Sequence, residues 1–280
     1  MKVRVIIKDS LKYPLSDYKK FLILGLIFII IYILNFSAHH EKNVYLLVLL
    51  IGIAFVVGFF VNGYIFRIIN STFDGKDELP EFNNWQDMGV DGVKVYLAYI
   101  VYLIPVLLII IDFILLFGGK TLNFGYNVFD FIPEPSSVLW QGINSFINSV
   151  FTIEIASRPE HTYQPLFGIL CPIGLLYAII ITPIALMAIA NMVLDEGDLK
   201  SAYKIHEIFE EISVIGWGNL IKWYILTGII YIIIMSIISF IFLLQPINPI
   251  IIKILSILLI GPYFSMFLAR SIALFYIPEY

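Results

Sequence analysis

The sequence predicts an all-α integral membrane protein: about six transmembrane helices arranged as three hairpins, with cytoplasmic interfacial amphipathic helices, in one polytopic domain over residues 1–280. Three observations carry that prediction. The chain is 60% hydrophobic and only 14% charged, with a mean hydropathy of +0.93. Its 17 basic and 21 acidic side chains are too few to cover so much apolar surface in water, so lipid has to be the solvent. Six apolar stretches reach or approach the ~20 residues that cross a hydrocarbon core of ~30 Å. Basic residues also fall unevenly between alternate loops.

The spans are expected at about 19–37, 44–68, 93–117, 166–193, 219–244 and 250–275, with an outer loop at 118–165. The first follows Lys2, Arg4, Lys8, Lys12, Lys19 and Lys20, as a signal peptide would. It ends Asn35-Phe36-Ser37-Ala38 without a small-residue cleavage site, and five more apolar runs follow, so it reads as an uncleaved helix. Pro105, Pro172, Pro183 and Pro262 lie inside spans and read as kinks, with neighbouring helices satisfying the freed carbonyls. With the amino terminus inside, the outer segments carry only Lys42, Lys120, Arg158 and Lys253, and the inner segments carry the other thirteen of the 17 basic residues. Such a bias predicts a multi-pass cell-membrane protein with both termini cytoplasmic.

Three inner segments share a plan of an amphipathic stretch, a lysine and then a span: Asp9–Lys20, Leu79–Lys94 and Asp198–Lys222. Turn sequences Asp74-Gly75 and Asp195-Glu196-Gly197 follow the second and fourth spans, and Phe66-Arg67 and Ala269-Arg270 lie near the ends of the second and sixth. The plan suggests three related hairpins. Residues Asp198–Ile215 read as one helix capped by Asp198. Lys200, Lys204, Glu207 and Glu211 fall in one wedge, and Ile205, Ile208, Phe209, Ile212 and Ile215 fall opposite. Such a helix either lies flat on the inner leaflet or packs onto the bundle from below.

Leu79, Phe82, Trp85 and Met88 recur at a spacing of three and predict a second interfacial helix, with Pro80 in its first turn and Trp85 at headgroup level. Asp91 is expected to cap the third span, with Lys94 beside it. The whole stretch, Asp74-Gly75-Lys76-Asp77-Glu78-Leu79-Pro80-Glu81-Phe82-Asn83-Asn84-Trp85-Gln86-Asp87 and then Asp91-Gly92-Val93-Lys94, resembles the signature of domain-of-unknown-function family 4013, mostly archaeal multi-span membrane proteins. The opening Leu11-Lys12-Tyr13-Pro14-Leu15 and the helix from Gly197 to Ile212 are similar to that family too. Where the family tends to have Leu-Phe, this chain has Met88-Gly89. The resemblance implies a membrane location and a shared architecture. It carries no activity and no catalytic residues.

Motifs for chemistry are absent from the sequence. Gly118-Gly119-Lys120-Thr121 fails the phosphate-binding loop because position 114 is Ile114. His206-Glu207-Ile208-Phe209-Glu210 lacks the second histidine of a zinc helix, and His39-His40-Glu41 splays across a short loop. Cys171 is the only cysteine, and no nucleophile elbow or dinucleotide fingerprint occurs. No catalytic, cofactor or metal residue is therefore assigned, and no basic stripe suggests nucleic acid.

What remains is polarity inside spans, which is costly in lipid. Asp112, about 27 Å beyond Lys94 along the third helix, is a candidate in-membrane acid near the outer interface. Arg67, Arg270, Asn62 and Asn191 lie near the inner ends of even-numbered spans and are the candidate polar cluster for an anionic headgroup. The outer segment shows helical spacing from Leu139 to Val150. The expected function is non-enzymatic: organising membrane lipid, or other membrane proteins, through inner-leaflet amphipathic helices. The alternatives are a small secondary transporter or permease, suggested by the prolines and the repeat, and then a membrane-embedded hydrolase.

Overall fold

The structure, a computed structural model, describes residues 3–117, 164–243 and 249–277. The turn at Gly118–Thr121 and the helix expected from Leu139 to Val150 lie outside the described residues, as does the side chain of Asp112. Among the described residues there is no strand. The α-helices are α1 (Val3–Lys12), α2 (Tyr18–His40), α3 (Val44–Phe73), α4 (Trp85–Phe117), α5 (Gln164–Leu194), α6 (Ile205–Ile215), α7 (Trp217–Leu243) and α8 (Pro249–Tyr276). Short 3₁₀ turns lie at Tyr13–Leu15 and Leu199–Tyr203. Six helices, α2 to α5, α7 and α8, are long and apolar enough to cross a membrane, as the sequence predicts.

Side chains start several of these helices. Asp17 accepts from the amides of Lys19 (2.9 Å) and Lys20 (3.2 Å) at the head of α2, and these amide hydrogen bonds hold its carboxyl below the usual range. Asn43 does the same for α3, and Asp198 accepts from the Lys200 amide as expected. The helices run on through all four span prolines. Three residues before Pro105, the Tyr102 carbonyl accepts from the Tyr177 hydroxyl of α5 at 3.0 Å, a hydrogen bond from the neighbouring helix close to the proline.

Four local readings need correction. The first amphipathic helix begins at Val3, not Asp9. Leu79–Asn84 is not helical, and Pro80 sits in an irregular loop, because that loop's carbonyls bond to side chains of other elements instead of to a helix of their own. Asp91 lies well inside α4 and so is no cap, although it does pair with Lys94 at 3.5 Å. The stretch 198–215 breaks at Lys204 into a 3₁₀ turn and α6, because Asn191 and Tyr102 capture the carbonyls of Ser201 and Ala202.

α3 packs against α2, α4 and α8; α5 packs on α4; and α7 stands at the periphery against α8, α6 and α1. The α3–α4 crossing is the tightest. A Cβ built on Gly63 would lie 1.8 Å from the Met88 carbonyl oxygen, and one on Gly92 would lie 1.8 Å from that of Phe59. Only hydrogen fits at either point, as in small-residue crossings of membrane helices. The core is concentrated at one end of the bundle, the base, where α1, the 74–84 loop, residues 195–216 and the end of α8 meet.

Candidate functional site at the base

The 74–84 loop leaves α3 through the Asp74-Gly75 turn, where Gly75 adopts φ +73° and donates to the Thr72 carbonyl at 3.0 Å. An extended loop has no internal ladder, so its carbonyls need outside donors. Seven of the eleven find a side chain. Arg270 of α8 donates to the Lys76 carbonyl (2.7 Å), Tyr13 to Glu78 (3.2 Å), Lys20 to Leu79 (2.7 Å) and Tyr64 to Pro80 (3.1 Å). Arg67 then covers the carbonyls of Glu81 (3.2 Å), Asn83 (2.6 Å) and Asn84 (2.9 Å). Asn84 itself turns the chain at φ +44° before α4 begins. Leu79 is buried, Phe82 stacks on Tyr64 at 4.0 Å, and half-exposed Trp85 packs edge-on to Phe60 at 5.6 Å.

Arg270 is the centre of this arrangement. Only 5% of it is exposed, and its guanidinium reaches Asp9 of α1 (3.1 Å), Asp77 of the loop (2.5 Å) and the Thr72 hydroxyl (3.3 Å), with the Tyr13 ring 4.8 Å from its carbon. A planar fork with five donors suits such a spread of acceptors. Burial pushes the Tyr13 hydroxyl up to about 12, against the opposing pull of the Arg270 charge.

The two arginines do come to the same loop, on neighbouring helices α3 and α8. The two asparagines do not join them. Asn62 bonds back to the Gly58 carbonyl of its own helix at 3.1 Å. Asn191 instead ties the 3₁₀ turn to α8, donating to the Ser201 carbonyl (3.0 Å) and accepting from the Tyr276 hydroxyl (2.9 Å). The true partners of Arg270, Asp9 and Asp77, lie 261 and 193 residues away and carried no signal except that a buried arginine demands carboxylates. The second turn has its own network, in which Ser201 donates to Asp195 and Lys94 approaches Gly197.

Beside the loop lies an open recess of about 620 Å3 that includes Lys20, Arg67, Lys76, Asp77, Glu81 and Asn83 among its walls. Its charges are mixed and largely paired, with Lys20 on Glu81 at 2.8 Å and Lys76 on Asp74 at 2.9 Å. Among the described residues, no cluster of His, Cys, Asp or Glu has the makings of a metal site. The arrangement fixes the shape of the loop.

The chain matches the family described as protein of unknown function (DUF4013) over residues 46–243 and belongs to that family. The match takes in the pinned loop, the α3–α4 crossing and α6. No curated protein and no solved structure matches the chain.

Proposed function

We propose that the protein is a non-enzymatic, multi-pass protein of the cell membrane, with both termini cytoplasmic, that organises lipid or partner proteins at the inner leaflet. An archaeal membrane is part of the same reading, from the resemblance carried by residues 74–94. One observation supports it above the rest. The apolar face of α6 is only half used by the bundle: Ile208 and Ile212 are buried, while Ile205 and Phe209 turn outward. Trp217, at the start of the α7 span, packs its ring 5.5 Å from Phe209, so an apolar edge flanks the point where a span begins. A helix with Lys200 and Lys204 before it and such an edge beside it suits the headgroup–acyl boundary.

Two experiments test the reading. With Cys171→Ala as background, Lys42→Cys and Glu160→Cys should react with an impermeant maleimide in intact cells and Lys200→Cys should not; labelling at Lys200→Cys reverses the orientation. Protein reconstituted into vesicles should change their size distribution by cryo-electron microscopy, and the Phe209→Ser/Trp217→Ser variant should not. Vesicles of unaltered shape that instead collapse an imposed proton gradient, read with an entrapped pH dye, favour a transporter and overturn the proposal.

A further inference from the structure

The N-terminal helix carries an unused positive charge. On α1, Arg4, Lys8 and Lys12 recur at i, i+4 and i+8, within one wedge of the helix. The opposite face buries Ile6, Ile7 and Ser10, and Asp9 is committed to Arg270. Arg4, Lys8 and Lys12 are exposed, and so is Lys19 at the head of α2; among the described residues none has an acidic partner. This contrasts with Lys20, Lys76, Lys94 and Lys204, all of which are paired.

Next to this stripe lies an apolar groove of about 550 Å3 between the start of α2 and the middles of α7 and α8. Its walls include Phe21, Ile230, Ile234 and Leu259, and its lower edge is formed by Leu11 and Leu15. The Tyr263 hydroxyl donates to the Leu11 carbonyl at 2.9 Å and fixes that edge. Lys12 follows Leu11 directly, and Lys19 stands two residues before Phe21. The groove is a slot for an apolar chain, and exposed Lys12 and Lys19 adjoin its lining residues Leu11 and Phe21 along the chain.

We infer that this slot binds one phospholipid with an anionic headgroup, its acyl chain between α2 and α7 and its phosphate against Lys8, Lys12 and Lys19. Two independent features select that occupant. The lining is aliphatic and aromatic, which suits a hydrocarbon chain. The charge beside it has a positive excess, since the nearby Asp9 and Asp17 are taken up by Arg270 and Lys20, and this suits a phosphate without an attached cation. A zwitterionic lipid would satisfy the first feature and waste the second. The inference rests on the inner-leaflet reading above and names the lipid class that reading leaves open.

The test uses full-length protein in mild detergent, delipidated and then offered diphytanoyl phosphatidylglycerol or diphytanoyl phosphatidylcholine. Native mass spectrometry counts the retained lipid, and melting curves check the fold. Wild type should retain the anionic lipid preferentially, and each lysine-to-glutamine change among Lys8, Lys12 and Lys19 should weaken that preference by roughly five-fold. Ile234→Trp should abolish retention of both lipids while melting normally in detergent alone, and Leu259→Phe supplies a second filled slot if it does not. Glycerol phosphate, the head without a tail, should bind no variant. Equal retention of the two lipids by wild type overturns the inference, as does undiminished retention by a folded slot-filled variant, or glycerol phosphate binding as well as the lipid. Loss of lipid preference with vesicle remodelling intact sinks this site alone. Preference without remodelling sinks the broader function and leaves the site standing.

Discussion

At the base, α3 buries Val61, Tyr64, Phe66, Ile68 and Ile69, whereas at its other end the same helix leaves Tyr45, Val48, Leu49 and Ile51 exposed. α5 repeats the contrast: Ala185 to Ala190 are buried, and Leu175, Leu176, Ile179 and Ile180 are exposed. α8 does so again, burying Met266, Phe267 and Ile272 and exposing Ile251, Ile254 and Leu255. Lipid chains are as apolar as leucine, so nothing hydrophobic drives the far halves together. The base coheres by other means: backbone contact at Gly63 and Gly92, and a network of hydrogen bonds to one loop. The same residue types therefore contribute differently at the two ends. Stability should be local to the base.

The largest effect expected is at the helix crossing. Gly92→Leu drives a side chain into the Phe59 carbonyl and should cost about 3 kcal/mol or more, read as loss of a single melting transition in detergent. A variant that melts like wild type would show that the two helices are not in backbone contact. Next comes Arg270→Ala, which releases Asp9, Asp77 and the Lys76 carbonyl together and should cost about 2–3 kcal/mol. Arg270→Lys should recover less than half of that, since an ammonium cannot span the same acceptors.

A smaller effect is expected with pH. The Tyr13 hydroxyl is protonated in both folded and unfolded chains below pH 10, and its folded value rises to about 12, chiefly through burial. Between these values only the unfolded chain ionises it, so the base should lose stability as pH rises from 10 to 12. Tyr13→Phe should flatten that part of the slope, and an unchanged slope would place the hydroxyl in water. The smallest effect belongs to the far half. Gly58→Ala meets no atom within 4 Å and should shift stability by no more than about 0.5 kcal/mol. A large loss there would erase the distinction between the two ends.

The six spans were legible because a bilayer imposes a length on apolar runs, and α2 to α5, α7 and α8 each fall within a few residues of the expected start or end. The exception is α4, which starts at Trp85 because helix continues through Asp91 and Gly92 instead of beginning there. Asp198 and the Gly75 and Gly197 turns were also readable, since cap and turn chemistry is local. Leu79 and Phe82 misled for an instructive reason. Buried anchors of an irregular loop can share the spacing of a helix face, and only the arginine and tyrosine donors from distant elements tell the two apart. The site was half visible. Arg67 and Arg270 stood out as charges near span ends, while Asp9 and Asp77 looked like ordinary surface acids. Pairing Asn191 with Asn62 across the repeat failed because Asn191 sits four residues before its turn, a position held in α3 by Asn70.

The reach of Arg270 has a consequence for how the protein is made. Its partners Asp9, Thr72 and Asp77 leave the ribosome long before it does, and the ribosome adds only about 5–20 residues per second. Until the last span is threaded into the bilayer, α1 has no guanidinium to hold it, and Ile6 and Ile7 lack the helix that covers them. The clamp therefore closes last: α1 gains its guanidinium partner and its covering helix only once the chain has been made through residue 270.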